Sequence, residues 1–271
     1  MKDLFDLSHK VAIITGAGGV LGGEAARYLA AQNVRVVLLG RTLQSLEKNA
    51  ASIIDKGGSA LALSCDVLNR SELEAVRDKV LNNYGAIDIL INAAGGNKAG
   101  AVVTPEQTFF EMSMDDLTEV VDLNLYGSVL PSMVFGETMV AQKSGVIINY
   151  SSMSVAEVIT RVAGYSASKA AIENFTRWLA VEFAQKHGEG VRVNAIVPGF
   201  FIGDQNRKLL LNEDGSLTSR GESIIQNTPY KRFGEAHELN GTIHYLCAEA
   251  SSFVTGAALA VDGGFQIYSG V

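Results

Sequence analysis

The sequence is poor in the residues that build crosslinked, metal-bound or membrane-embedded proteins. Of its 271 residues only 2 are cysteine. Cys65 and Cys247 lie far apart in apolar contexts, which argues against a disulfide framework or a zinc site. The 4 histidines show no metal-ligand spacing, and His244 and Cys247 share a helix face as core residues do, so no metal is expected. No apolar run approaches the length of a membrane-spanning helix. The stretch from Met1 to Lys10, which carries Asp3 and Asp6, lacks the basic start and long apolar run of a secretion signal. A cytoplasmic protein with no membrane partner is therefore expected. With 22 Lys and Arg against 29 Asp and Glu, the formal charge is −7 and no basic cluster stands out, so nucleic acid is not an expected partner.

Proline is also scarce, at 4, whereas glycine reaches 28, so the chain has few rigid breaks and many close backbone approaches. Short apolar runs at Val11–Thr15, Val34–Leu39, Ala60–Cys65, Ile87–Asn92, Val146–Tyr150, Val191–Val197 and Ala257–Val261 read as strands. Nearly all are apolar on both faces, the mark of a parallel sheet covered by helices. Amphipathic stretches alternate with them at Leu21–Gln32, Leu43–Lys56, Glu72–Tyr84, Met114–Gln142, Gly164–His187 and Ala236–Ala248. The alternation indicates one doubly wound α/β domain over residues 1–271, with no internal repeat or linker. A long segment before the last strand, about 200–228, is the candidate substrate lid.

The first strand runs into Gly16-Ala17-Gly18-Gly19-Val20-Leu21-Gly22-Gly23 and then a helix. Glycines there allow a sharp turn and let a pyrophosphate approach the N–H groups at the positive end of the helix. Tight strand–helix packing is the alternative use of such glycines. Position after the first strand of a βαβ unit favours the phosphate reading, with Gly16, Gly18, Gly19, Leu21 and Gly22 as contacts. The second strand ends in Leu38-Leu39-Gly40-Arg41-Thr42, with no carboxylate for a ribose 2′-hydroxyl. Arg41 could pair with a 2′-phosphate, so NADP is favoured over NAD, although Arg41 could equally stack on adenine or reach solvent.

Tyr165 and Lys169 are four residues apart near the start of a predicted helix, and so share a face. The spacing alone decides nothing. Ser152 lies thirteen residues before Tyr165, Asn124 sits within Asp122-Leu123-Asn124-Leu125-Tyr126-Gly127, and Asn92-Ala93-Ala94-Gly95 follows the fourth strand. Together these residues resemble the short-chain dehydrogenase/reductase family, from Lys10 to Asp262-Gly263-Gly264 and in family order. The resemblance implies a seven-stranded parallel Rossmann-like sheet, a nicotinamide coenzyme (NADP or NAD), and a tetrad at Asn124, Ser152, Tyr165 and Lys169. The family's Thr-Gly-x-x-x-Gly-x-Gly pattern matches at Thr15, Gly16 and Gly22 but has Val20 at the middle glycine.

The chemistry explains these residue types. Moving a hydride between nicotinamide and a carbinol carbon requires a proton to enter or leave the oxygen. A phenol of pKa about 10 is a weak base near neutrality, so Lys169 and a cationic nicotinamide would favour the Tyr165 anion. Lys169 would also hold the nicotinamide ribose, Ser152 the substrate oxygen, and Asn124 a proton-relaying water. Further coenzyme contacts implied by the resemblance are Asp66 and Val67 at the third strand end, Asn92, Ala93 and Gly95 after the fourth, and Pro198-Gly199 beside the nicotinamide. A homo-oligomer, by family resemblance a tetramer, would bury Trp178, Phe175 and Phe183, which could equally be core.

Gly95-Gly96-Asn97, Pro198-Gly199-Phe200-Phe201 and the terminal Phe265–Val271 segment are similar to the family's D-mannonate oxidoreductase, or fructuronate reductase, branch. That branch commonly has histidine where Lys98 stands here. A sugar-acid substrate needs cations and amides, and Asn97, Lys98, Arg161, Gln205, Asn206 and Arg207 are the available groups, with Met153 shaping the pocket. Lys98, Arg161 or Arg207 is the expected carboxylate partner. The competing readings are a gluconate 5-dehydrogenase-like enzyme of other keto sugar acids or polyols, a 3-oxoacyl thioester or steroid reductase, and a non-catalytic nucleotide-binding protein.

Overall fold

Runs of aliphatic and β-branched residues form the strands. The computed structural model describes residues 3–203 and 206–270. Its strands β1 (Val11–Thr15), β2 (Arg35–Gly40), β3 (Ser59–Ser64), β4 (Ile89–Asn92), β5 (Gly145–Tyr150), β6 (Val191–Pro198) and β7 (Ala258–Val261) form one sheet. Their order is β3-β2-β1-β4-β5-β6-β7, and every neighbouring pair is parallel. Alternation along the strands divides the apolar residues between two cores. Ile14, Val36, Ile91 and Ile148 face one layer with Leu29 of α1 (Val20–Ala31), Leu46 of α2 (Leu43–Ile54) and Ile243 of α9 (Asn240–Cys247). Ile13, Val37, Leu90 and Ile147 face the other, against Leu73 of α3 (Arg70–Tyr84), Phe135 of α5 (Gly127–Gln142) and Leu179 of α6 (Ala163–His187).

This two-sided burial holds for β1, β4, β5 and β6, whereas the edge strands are more open: Ser59 and Ser64 of β3 are exposed and β7 is only half-buried. β4 begins two residues later than its apolar run, because the Gln142 side chain takes both the N–H and the C=O of Ile87. The stretch Met114–Gln142 is not one α-helix. α4 (Met114–Val121), capped by Ser113 on the Asp116 N–H, gives way to a π-helical turn over Asp122–Tyr126 before α5. The physical reason is Asn124, whose amide donates to the Val120 carbonyl one turn back and so competes with the backbone ladder there. Likewise Ala236–Leu239 is a 3₁₀ turn leading into α9.

Residues 200–228 carry short helices α7 (Arg207–Leu210) and α8 (Ser219–Gln226), closed by a Leu211–Leu217 bridge. On α6, Trp178 and Val181 are more than half exposed, while Phe175 and Phe183 pack on the core. Cys65 and Cys247 are free, buried thiols, and His244 bonds to the Tyr28 hydroxyl and the Phe5 carbonyl. Among the described residues no helix is long and apolar enough to cross a membrane, and no cluster of three or more metal-ligating side chains occurs.

The sheet order reverses beside β1, whose neighbours are β2 and β4, and ligands of such sheets bind at the carboxyl ends of the strands flanking the reversal. There Thr15 is paired with Asn92 in register. The Thr15 hydroxyl accepts the N–H groups of Ala93 and Ala94, both at 3.1 Å, and so ties the β4 exit to the β1 exit. Gly16 has φ +65°, and a Cβ on it would lie 2.7 Å from the Ala93 carbonyl oxygen, so the two loops meet backbone to backbone. Thr15→Val keeps the shape but strands two amide donors. We expect it to cost about 2 kcal/mol of unfolding free energy, read from urea denaturation, and to weaken coenzyme binding.

Candidate active site

Polar groups at the carboxyl ends of β1, β4, β5 and β6 build the site. The α1 N-terminus opens at Gly19, which offers no side-chain cap, whereas α3 and α4 are capped by Asn69 and Ser113. Gly18 and Gly19 are exposed at that end, leaving the first N–H groups of α1 available to an anion. Gly22 is required by packing, since a Cβ there would lie 2.6 Å from the Gly16 oxygen. Val20, where the family pattern has glycine, begins α1 and faces Gly203, with Leu21 packed on the core behind it. A crevice of this kind, with an uncapped helix end at the strand reversal, fits the pyrophosphate of a dinucleotide. Arg41 is exposed at the end of β2. Asp66 is half-buried after β3, its carboxylate accepting from Leu68 N–H, and Val67 is buried against Gly127.

The tetrad residues converge from three elements. Asn124 is fully buried in the π-helical turn and is held on both its amide atoms: it donates to the Gly96 and Val120 carbonyls and accepts from the Gly96 N–H. Lys169 is buried on α6, where its Nζ donates to the Tyr150 carbonyl at 2.8 Å and stands 5.4 Å from the centre of the Tyr165 ring. A Cβ on Gly95 would meet Asn124 Oδ1 at 2.7 Å and Lys169 Nζ at 3.3 Å, so both atoms border the same small space. The Ser152 hydroxyl accepts from the Ser154 N–H and hydrogen-bonds the Tyr165 phenol.

The electrostatics differ from expectation in one respect. Burial, not Lys169, dominates the phenol and pushes Tyr165 above the ordinary tyrosine value, with the Ser152 contact pulling it back. Lys169 itself is pulled down to about 8 by burial, because no carboxylate compensates its charge. The chain alone therefore holds a weakly basic ammonium beside a neutral phenol. Ser151, the neighbour of Ser152, is turned the other way: its hydroxyl donates to Glu173 at 2.7 Å, and Glu173 is bridged to Arg177. The buried Glu173 gave no signal in the sequence, since an acid four residues after Lys169 reads as a solvated helix face.

Several expected contacts are corrected by the structure. The Asn92 side chain points into the core and donates to Asn149, Ser132 and the Ser128 carbonyl, so only its backbone and that of Ala93 face the crevice side. Lys98 is paired with Asp116 at 3.0 Å and with Glu119 at 2.5 Å, which occupies the cation meant for a substrate carboxylate. Asn206 accepts from the Gly203 N–H and donates to the Phe201 carbonyl, which fixes its own turn. Asn97 accepts from its neighbour's N–H on an exposed loop, and Arg207 is exposed on α7. Gln205 lies outside the described residues. Met153 is buried after Ser152. Pro198 ends β6, and a Cβ on Gly199 would lie 2.6 Å from the Asp262 Cα, which makes that exit a tight crossing with the Asp262 turn.

Of the expected cations, Arg161 lines a cavity. It has a volume of about 380 Å³, bounded by 158–161, Phe200, Phe265 and the inner face of α8. Ser152 and Tyr165 do not line it, but the segment between them does. A residue the sequence did not single out, Arg220 of α8, stands on its other wall.

Comparison with known proteins places this arrangement. A family model described as enoyl-(acyl carrier protein) reductase matches residues 16–266. An uncharacterised oxidoreductase of Bacillus subtilis, UxuB, is 45% identical, with 98% of each chain covered. A crystal structure from Haemophilus influenza with bound NAD, provisionally named a D-mannonate oxidoreductase, is 42% identical, covers 98% of both chains and superposes with a TM-score of 0.92. A gluconate 5-dehydrogenase from Burkholderia cenocepacia, in complex with NADP and tartrate, is 30% identical with a TM-score of 0.86, covering 97% of this chain and 98% of its own. The protein is thus a nicotinamide-dependent oxidoreductase acting on CH–OH groups, and the chain belongs to the short-chain dehydrogenase/reductase family.

Proposed function

We propose that the protein interconverts a keto sugar acid and its hydroxy acid, with D-fructuronate and D-mannonate as the pair, at a site formed by Asn124, Ser152, Tyr165 and Lys169. The observation that carries the sugar-acid half is the cavity beside that site, whose walls present two guanidinium groups, hydroxyls and an amide among the apolar side chains of Val158, Ile159, Phe200, Ile224 and Phe265. Two guanidiniums on one cavity suit a carboxylate better than an acyl chain or a steroid. The Haemophilus influenza relative supports D-mannonate as one member of the pair by its name, and the Burkholderia cenocepacia structure, with tartrate bound, supports the neighbouring reading of another sugar acid.

Bound nicotinamide supplies or accepts the hydride. Tyr165 gives the proton to the substrate oxygen during reduction and takes it back during oxidation, from a phenol kept neutral by burial. Ser152, already bonded to that phenol, donates to the same oxygen as charge develops on it. Lys169 holds the coenzyme ribose and passes protons to the phenol. Asn124, fixed by Gly96 and Val120, borders Gly95 together with Lys169 and would hold a proton-relaying water. The exposed Arg41 favours NADP, the bound NAD of the Haemophilus influenza relative favours NAD, and direct comparison decides. The exposed Trp178 and Val181 on α6 support a homo-oligomer.

Two tests follow. Initial rates of reduced-coenzyme loss with D-fructuronate, measured with NADPH and NADH in parallel, are expected to saturate and to fall by at least about a thousandfold in Tyr165→Phe; absence of turnover rejects the substrate pair. The ratio of the two rates reports on Arg41. The pH profile of kcat/KM for reduction should be flat below about pH 8 and decline above it, because Lys169 loses its proton there. In Lys169→Arg, whose charge does not titrate, that limb should vanish.

A further inference from the structure

The cavity holds two like charges whose arrangement calls for an anion. Arg161 and Arg220 approach it from different elements, the 158–161 segment and α8 of the lid. The Arg220 guanidinium donates to the Thr160 hydroxyl at 3.2 Å and to the Thr160 carbonyl at 3.4 Å, which fixes it on the residue next to Arg161. The two cations feel each other: burial first, and then the Arg161 charge, lower the Arg220 pKa. Among the described residues Arg161 and Arg220 join no ion pair with a carboxylate, which is equally true of Arg35, Arg41, Arg192 and Arg207, but these two share the wall of one cavity. Two guanidiniums drawn together at a cavity without a counter-ion repel, and a carboxylate between them reverses the sign of the interaction.

The backbone at Arg161 adds a second observation. Its φ is +78°, a left-handed conformation that favours glycine, and the Arg161 carbonyl is held there by the Val103 N–H at 3.0 Å. A long charged side chain is retained where glycine is the less strained choice, and the side chain points to the cavity wall.

We propose that Arg161 and Arg220 form a two-armed subsite for the carboxylate of the substrate, with one arm fixed beside the catalytic groups and the other carried by α8. This rests on the sugar-acid reading above and names the residues that make it. D-Fructuronate suits the layout, because its carboxylate lies at the far end of the carbon chain from the end that bears the reacting carbonyl, and Ser152 and Tyr165 do not themselves line the cavity. The acid would join two arms that the Arg220–Thr160 hydrogen bonds already hold side by side.

The test is calorimetric binding of D-mannonate and of its neutral counterpart D-mannitol to the protein saturated with reduced coenzyme, which cannot turn over with either, for the parent, Arg220→Ala, Arg161→Gly and the double variant. Arg161→Gly relieves the left-handed strain, so its unfolding temperature should not fall, and a lost preference then cannot be ascribed to misfolding. The parent should prefer the acid, and each single variant should lose that preference by on the order of tenfold. The double variant should lose little more than the single ones, because the arms act on one group. An acid preference that persists in both single variants overturns the subsite while leaving the sugar-acid reading intact. A parent that turns over no D-fructuronate, yet binds D-mannonate through the two arginines, overturns the substrate pair and keeps the subsite. A parent that does not distinguish acid from neutral overturns both.

Discussion

The site depends on one buried cation that the chain does not neutralise. Lys169 lies inside the protein with a carbonyl, not a carboxylate, as its partner, and burial brings its pKa from 10.5 to about 8. Because the folded protein holds this proton less tightly than the unfolded chain, the unfolded state binds more protons between those two values. The stability contributed by this residue therefore rises with pH across that window and carries its full cost below it. Such a cost is tolerated at a functional site, where an ammonium free of a permanent counter-ion remains available to ribose hydroxyls and to a neighbouring phenol. The surrounding polar scaffold serves to keep it in place: Asn124 under Gly95, the Tyr150 carbonyl at the end of β5, and the Asn92–Asn149–Thr176 chain tying β4 and β5 to α6.

A second constraint is close backbone approach at the strand ends. Gly16 against Ala93, Gly22 against Gly16, and Gly199 against Asp262 are contacts that a Cβ would fill. They hold three loops within reach of one coenzyme and explain why glycine is abundant while proline is rare. The glycine-rich turn thus has two functions at once. Gly16 and Gly22 serve close backbone packing, Gly18 passes close to the Ser45 hydroxyl, and Gly19 leaves the α1 N-terminus without a side-chain cap.

Much of this was legible in the sequence because strand periodicity and chain order are local signals. The seven apolar runs gave the sheet, and Ser152, Tyr165 and Lys169 were picked out by the family resemblance, in keeping with their places after β5 and on α6. What stayed hidden depended on partners distant in the chain. Asn124 reads as an ordinary helical residue between Leu123 and Leu125, since nothing local shows that its amide takes the Val120 carbonyl and widens the turn. Asn92 looked like a coenzyme ligand, but Ser132 and Asn149 claim it from other elements. Lys98 looked free because Asp116 and Glu119 belong to the next helix. Arg220 could not be chosen among the surface cations until α8 was placed against Thr160.

The central claim is that an uncompensated, buried ammonium at Lys169 sets the proton chemistry of the site. The most direct test is a nuclear magnetic resonance titration of the protein labelled with ¹³C-lysine, assigned by comparison with Lys169→Arg. The account predicts one lysine resonance titrating near pH 8 that is missing in the variant, with the other lysines in their ordinary range. A Lys169 resonance that titrates with the surface lysines would contradict it.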